Sequence, residues 1–409
     1  MGEILFIAHR IPFPPDRGDK IRSHHLLKAL ARLGPVHVAT LGETEADFAA
    51  EPMLAKVAAS YCLAGRRANL PLAGLRALIA GEPVSLAAFF SPRLRKWIDH
   101  TLSARPIEAI FVFSGQMGQY VPASYAGRVV VDLCDVDSAK FEAYAAKGSP
   151  PRRWIDAREG RLLAAEEARL ARRASTTLLV SEAEAALFRG RAGSGAVNVR
   201  ALGNGVDATF FHPDVVEPHS ALAAAPGPNL VFTGQMDYPP NIAAAERTAR
   251  DLMPSVRAVY PQARFHVVGR APSAQVRSLE GLHGTRVWGE VPDVRPFVAA
   301  ANLVIAPLTI ARGIQNKVLE AMAMARPVLL TPAAAEGIGG SDGIHYAVGE
   351  DNASLAAHVL RLLDDPPARH AMGVAARHFV IESMSWDAVL APLAEMVGCS
   401  ASEAVRDAA

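Results

Sequence analysis

Short apolar blocks alternate with stretches of helical periodicity along most of the chain. Residues 4–8 (ILFIA) make one buried strand, followed by the Pro-rich loop IPFPPDRGD. A helical pattern runs from about Lys20 to Leu33 and stops at Gly34, and Val36–Thr40 is a second strand. Further strands are expected at Ile107–Phe113, Arg128–Leu133 and Thr176–Val180. Ser181 and Glu184 have the spacing of a capping box that opens another helix. After a Pro- and Ala-rich stretch near 212–228 the alternation starts again, with strands at Asn229–Thr233, Arg264–Val268 and Arg286–Trp288. Strands that alternate with helices in both halves predict two doubly wound α/β domains facing each other across a cleft. The expected domains are residues 1–211 and 212–383, with a last helix at about 384–409 packing back on the first. The final helical patterns fall at about 367–383 and 384–398.

The most informative stretch is Asn302–Thr331, NLVIAPLTIARGIQNKVLEAMAMARPVLLT. The apolar run Leu303–Ala306 ends at Pro307, and Val318, Leu319, Met322 and Ala325 then follow helical spacing up to Pro327. This is one strand–helix–strand unit, with the helix starting at the strand's carboxyl end, where open sheets bind ligands. Gly313 allows close backbone approach, and the free N–H groups of the first turn form an anion site. Lys317 lies near that positive end, where the macrodipole disfavours a cation unless an anion sits between. Glu320 is three residues from Lys317 and four from Asn316, so the three share a face. Glu320 is placed either to accept hydrogen bonds from a ribose diol or to form a plain solvated pair with the lysine.

Composition narrows the class. At 409 residues the chain is long for one core, and with half its residues apolar and 20% charged it is globular rather than disordered. Residues 1–210 carry 27 Lys/Arg against 21 Asp/Glu, whereas residues 211–409 carry 15 against 20. The basic first half suits an anionic lipid surface or a pyrophosphate-bearing acceptor, but it is too mild for nucleic acid. Arg66, Arg67 and Arg76 among Leu70, Leu72, Leu75, Leu78 and Ile79 fit either a membrane-surface helix or a core-facing helix with solvated arginines. Cys62, Cys134 and Cys399 have no paired spacing and read as thiols of a reducing compartment. The start MGEILFIAHR lacks a signal peptide's basic flank, and no apolar run reaches a membrane span. The expected location is the cytoplasm, with peripheral contact to the anionic inner face of the plasma membrane left open.

The loop after the first strand holds Asp16, Arg17, Gly18 and Asp19, and Lys20 and Arg22 are cations in the next helical turn. Gly18 suits either a ligand approach or a plain turn, while Asp16, Arg17, Lys20 and Arg22 are the expected acceptor-side residues. Asp132, Asp135 and Asp137 cluster around the end of a strand. They are open to three uses: a metal, an acceptor hydroxyl, or a helix cap by Asp137 or Ser138. The helix at about 151–174 mixes Arg152, Arg153, Arg158, Arg161, Arg169, Arg172 and Arg173 with Glu159, Glu166 and Glu167, which predicts a mostly salt-bridged exposed face.

In this order and spacing, several segments resemble those of retaining glycosyltransferases with two Rossmann-like domains (the GT-B type), in the large family of bacterial mannosyl- and glucosyltransferases. They are the loop ending at Gly18, NGVDATFFHP (Asn204–Pro213), FTGQMDYPPN (Phe232–Asn241), VVGR (Val267–Arg270), GEVPDVRPFVAAANLVIAPL (Gly289–Leu308) and GIQNKVLEAMAMARPVL (Gly313–Leu329). HRIPFPPDRGDKIRSHH and VVVDLCDVDS further resemble a subgroup associated with exopolysaccharide and exosortase systems. Two positions depart from the family's pattern. Glu320 matches the second of its paired glutamates, but Arg312 stands at the first, and Gln235 and Asn241 stand where relatives carry Arg and Lys for the diphosphate.

The resemblance implies a UDP- or GDP-linked sugar as donor substrate, a lipid-linked or oligosaccharide acceptor, no other cofactor and no metal. It implies retention by front-face attack, with Lys317 and Arg312 as counter-charges for the departing phosphate. Asp135 or Asp137 would orient the acceptor hydroxyl. The donor would lie along Gly313, Ile314, Gln315, Asn316 and Glu320, its base near Gly269, Arg270 and Val291, and domain closure would exclude water. Two rivals remain: a nucleotide-sugar 2-epimerase, and a non-catalytic sugar-binding subunit. No G-x-G-x-x-G follows the first strand, which argues against a nicotinamide dehydrogenase.

Overall fold

A computed structural model of the chain describes residues 2–66, 74, 77–193, 198–311 and 314–399. Its contacts divide the chain into two units, Met1–Asn204 with Val389–Ala409, and Gly205–Ala388.

The first unit holds a parallel sheet, seven-stranded among the described residues, in the order β3-β2-β1-β4-β5-β6-β7. The strands are β1 (Glu3–Ala8), β2 (Val36–Gly42), β3 (Ser60–Gly65), β4 (Ile107–Phe113), β5 (Arg128–Cys134), β6 (Thr176–Leu179) and β7 (Val199–Ala201). All of β2 is buried, as a strand covered by helices on both faces requires. Helix α1 (Gly18–Leu33) and the short α2 (Glu45–Ala49) follow β1 and β2. Helices α3 (Asp137–Lys147) and α4 (Arg152–Arg173) form an extensively packed pair.

The glutamates of α4 form the expected salt-bridged face only in part. Arg169 does pair with Glu166, but Glu159 and Glu167 are buried and serve as helix caps at a distance. Glu159 accepts from the N–H groups of Val84 and Ser85, and Glu167 from the N–H of Ser138 at 2.9 Å. Those N–H groups open helices whose own cap positions, Pro83 and Val136, provide no side-chain cap, so the carboxylates fill the missing role. Neither Asp137 nor Ser138 caps α3, for the same reason. Ser181 accepts from the Glu184 N–H, but the Glu184 carboxylate turns to the N–H of Val136 rather than completing the box.

The second unit holds β8 (Asn229–Thr233), β9 (Arg264–Val268), β10 (Thr285–Gly289), β11 (Leu303–Ala306), β12 (Val328–Leu330) and β13 (Ala347–Val348). They form a parallel sheet in the order β10-β9-β8-β11-β12-β13. Its core gathers Phe232, Phe265, Leu303, Ile305, Leu319 and Met322, all fully buried or nearly so. The helices used below are α5 (Pro239–Arg247), α6 (Asn316–Ala323) and α7 (Pro366–Phe379). After α7 a π-helical turn covers Val380–Met384, and Ser385 takes an extended backbone that ends it. The expected helix at 384–398 is therefore two short ones, Trp386–Leu390 and α8 (Leu393–Val397), with Pro392 between them lacking the N–H to continue the first. In the first unit α8 rests on α1, β4 and β5 and buries Leu393, Met396 and Val397. No helix among the described residues is long and apolar enough to cross a membrane.

Candidate functional site

In the second unit the chain builds outward from β8 in both directions, so the strand order turns between β8 and β11. The carboxyl ends at such a turn leave a crevice that no crossover covers. The loops beyond β8 and β11 flank this place, and α6 starts there. Gly234 and Gly269 follow β8 and β9 with φ of 154° and 152°, conformations that side chains rarely adopt. A Cβ on Gly269 would stand 1.6 Å from the Gly234 carbonyl oxygen, so only glycine lets these two strand ends meet.

Lys317 reaches back toward that junction. Its Nζ donates to Asn241 Oδ1 at 2.5 Å and lies 4.8 Å from the centre of the Phe232 ring. Asn241 Nδ2 donates to the Gln235 carbonyl at 2.8 Å, and Arg270 Nη2 donates to Gln235 Oε1 at 3.0 Å. Three of the expected donor-binding residues, Gln235, Asn241 and Arg270, are thus joined with Lys317 in one hydrogen-bonded chain. Burial pushes the Lys317 ammonium down to about 8, only partly offset by Glu320. Burial pushes the Glu320 carboxyl up to about 7, again partly offset by its neighbour. Neither group has an ion-pair partner within 4.0 Å among the described residues, so the site holds a positive charge against both desolvation and the helix dipole. Such a cation is poised for an anion.

The other donor-side residues are spread more widely. Gln315 is the cap residue of α6 and does not cap with its side chain, and Asn316 is exposed. Ile314 and Val291 are partly buried against the apolar core. Arg312 and Gly313 lie outside the described residues.

In the first unit the sheet order turns between β1 and β4. There His9 Nε2 stands 3.3 Å from Asp19 Oδ2, Arg10 donates to the same oxygen at 2.7 Å, and Arg17 donates to Asp19 Oδ1 at 2.8 Å. Burial opposes ionisation of Asp19, but the hydrogen bonds from His9, Arg10 and Arg17 outweigh it and hold the carboxyl well below the usual range. His9 also stacks on Phe113, and its buried Nδ1 has no hydrogen-bond partner among the described residues. Sequence reasoning overlooked His9 and Arg10, although they directly follow the first strand, the position at which such sheets place ligand contacts.

Of the expected acceptor residues, Asp16 and Arg17 are exposed on the loop. Lys20 and Arg22 are instead buried, at 5% and 2% exposure. Lys20 Nζ binds Asp47 Oδ1 of α2 at 2.7 Å, and Arg22 Nε binds Asp132 Oδ2 at 2.8 Å. Their charges hold the unit together rather than face solvent. Gly18 opens α1 with open space where a Cβ would stand, so packing within the protein does not require glycine there. The three aspartates do not converge either. Asp132 faces Arg22, while Asp135 and Asp137 share Lys140 Nζ at 2.8 and 3.2 Å.

Comparison with known proteins adds to this geometry. Residues 227–365 match the family model described as glycosyl transferases group 1. The chain is 28% identical over 215 residues to alpha-maltose-1-phosphate synthase of Mycolicibacterium smegmatis, covering 46% of this chain and 53% of that protein. The match thus spans about half the length of that curated relative. Among solved structures, sucrose-phosphate synthase from Thermosynechococcus elongatus is similar over 100% of both chains, with TM-score 0.59 and 16% identity. HepE from Anabaena, solved with UDP and glucose, has TM-score 0.60 and 15% identity over 97% of this chain and 99% of that one. WaaG, a glycosyltransferase involved in lipopolysaccharide biosynthesis, has TM-score 0.56 and 17% identity over 97% and 100% of the two chains. On these comparisons the chain has the GT-B fold of two Rossmann-like domains, and residues 227–365 of its second unit are similar to the group 1 glycosyl transferases.

Proposed function

We propose that this protein is a retaining, metal-independent glycosyltransferase that moves a sugar from a nucleotide-sugar donor to a lipid-linked or oligosaccharide acceptor. The observation that carries the reading is Lys317, a half-buried ammonium whose only hydrogen bond among the described residues is to the neutral Asn241 amide, at the start of a helix at the carboxyl end of the sheet. Cleaving a sugar–diphosphate bond develops negative charge on the β-phosphate. A fixed ammonium and the first-turn N–H groups of α6 stabilise that charge more in the transition state than in the ground state. Gln235, Asn241 and Arg270 extend the polar surface along which the diphosphate would lie, and Glu320, one turn along, accepts the ribose hydroxyls. HepE, solved with UDP and with UDP-glucose, supports UDP as the first nucleotide to test.

Exopolysaccharide or cell-envelope glycan synthesis is the proposed setting. A lipid-linked acceptor would bring the enzyme to the anionic inner face of the plasma membrane. The exposed Leu78, Ile79, Trp154 and Ile155, near the exposed Arg152 and Arg153, support such peripheral contact. Of the basic stretch expected near there, Arg67, Leu70, Leu72, Leu75 and Arg76 lie outside the described residues.

The test is transfer from a panel of UDP- and GDP-sugars to extracted lipid-linked sugars, with the anomeric configuration of the product read by NMR. Transfer with the donor's configuration kept is expected. Epimerised donor without acceptor points to the epimerase, and binding without turnover to a sugar-binding subunit. Glu320→Ala should weaken UDP binding in calorimetry about tenfold or more, the cost of one charge-assisted hydrogen-bonding group. Unchanged affinity would remove Glu320 from the ribose site.

A further inference from the structure

The amino ends of the strands in the second unit carry a different feature. A cavity of about 470 Å³ opens there, next to Asn302 before β11 and Pro327 before β12, at the opposite end of the sheet from the start of α6. Arg326, Arg369 and Arg377 line it together with His370, His378 and Asp214. None of the three arginines forms an ion pair with a carboxylate among the described residues. Each donates only to backbone carbonyls: Arg326 to Met324 at 3.1 Å, Arg369 to Leu362 at 3.4 Å, and Arg377 to Phe211 at 3.3 Å and to Ala323. Asp214, the one acidic residue on the lining, has a side chain 86% exposed.

We propose that this cavity is a second anion site that takes a phosphorylated small molecule. Residues 211–409 hold more acidic than basic residues, 20 against 15, so guanidiniums around one concavity are not a by-product of a basic surface. Converging like charges in a low-dielectric recess repel one another, and an anion between them turns the repulsion into charge-assisted hydrogen bonding. The cost of the empty arrangement shows in Arg326, whose guanidinium is shifted down by burial and by the neighbouring charge of Arg369. Planar guanidiniums match phosphate oxygens in pairs, and the cavity lies within the size range of small-ligand sites. The remaining donors of Arg326 and Arg369 are open to a ligand, whereas Arg377 also holds the last carbonyl of α6, Ala323 O. Those two arginines are therefore the recognition pair.

The test titrates pyrophosphate and glucose 6-phosphate into the full-length protein by calorimetry, at an ionic strength held constant with sodium chloride. It uses wild type, Lys317→Met to empty the candidate donor site, and the pair Arg326→Gln/Arg369→Gln. Saturable binding is expected with a Kd on the order of 1 mM or below, kept in Lys317→Met and weakened at least tenfold in the arginine pair. The single Arg369→Gln variant, which gives up only a 3.4 Å contact to Leu362 O, stands in if the double variant does not fold. No saturable binding of either probe, loss of binding in Lys317→Met, or binding that survives the arginine substitutions would each overturn the site.

Discussion

Lys317→Met is expected to lower turnover about a hundredfold while making the unliganded protein more stable. The first effect follows from removing one fixed charge aimed at a developing anion, a contact usually worth two to three powers of ten. The second follows from the same charge in the empty site. An ammonium whose pKa is pressed to about 8 by burial is disfavoured in the folded state relative to an ordinary lysine. Methionine fills nearly the same volume, keeps a contact with the Phe232 ring, and carries no charge to desolvate. Glu320, already pushed up to about 7, takes a proton when its neighbour is gone. After discounting for partial exposure, the gain is about 1–3 kcal/mol, read as a raised urea midpoint. Unchanged turnover would exclude Lys317 from the chemistry. A lowered midpoint would mean that its bond to Asn241 contributes more to the fold than the buried charge costs.

Asp132→Ala should do the opposite: destabilise the protein by about 3–5 kcal/mol, the usual cost of leaving one member of a buried ion pair alone. Asp132 is 0% exposed and Arg22 2%, and they meet at 2.8 Å. Burial disfavours the Arg22 guanidinium, yet the opposing charge of Asp132 more than compensates. Arg22 also donates from Nη1 to the carbonyl of Gly203 and to Asn204 Oδ1, which anchors the last residues of the first unit's main segment. Without Asp132 this whole arrangement holds an unneutralised cation in the core. The double change Arg22→Met/Asp132→Leu should recover much of the loss, because no charge is then left buried. Denaturant unfolding of the three proteins checks this. A loss below about 1 kcal/mol for Asp132→Ala would show that water reaches and solvates Arg22.

These two residues also mark how far the sequence could be read. The strands were legible because a parallel sheet buries both faces, so β11, or β1 from Ile4 onward, stands out as a continuous apolar run. Lys317 was legible for a local reason: a cation near a helix start, with Glu320 one turn later, is out of place without an anion. Its acceptor Asn241 lies 76 residues away, and only the family resemblance pointed to it. Lys20 and Arg22 sit at an equally conspicuous helix start, yet their partners lie 27 and 110 residues distant. The same local signal therefore covers the ligand-facing role proposed for Lys317 and the structural one of Lys20 and Arg22, and tertiary pairing separates the two. Glu159 and Glu167 were misjudged for the same reason, since the N–H groups they cap are 75 and 29 residues away. Arg326, Arg369 and Arg377 gave no signal at all, because each looks like an ordinary surface arginine until the fold gathers them.

Lys317 is proposed to await a diphosphate, and titration of its ammonium by NMR in the presence and absence of UDP tests this directly. In the free protein Lys317 should titrate at about 8, because burial removes water from the charge. Saturating UDP should move that value upward, since a bound diphosphate favours the protonated form. An ordinary lysine value in the free protein, with no response to UDP or GDP, would contradict the account.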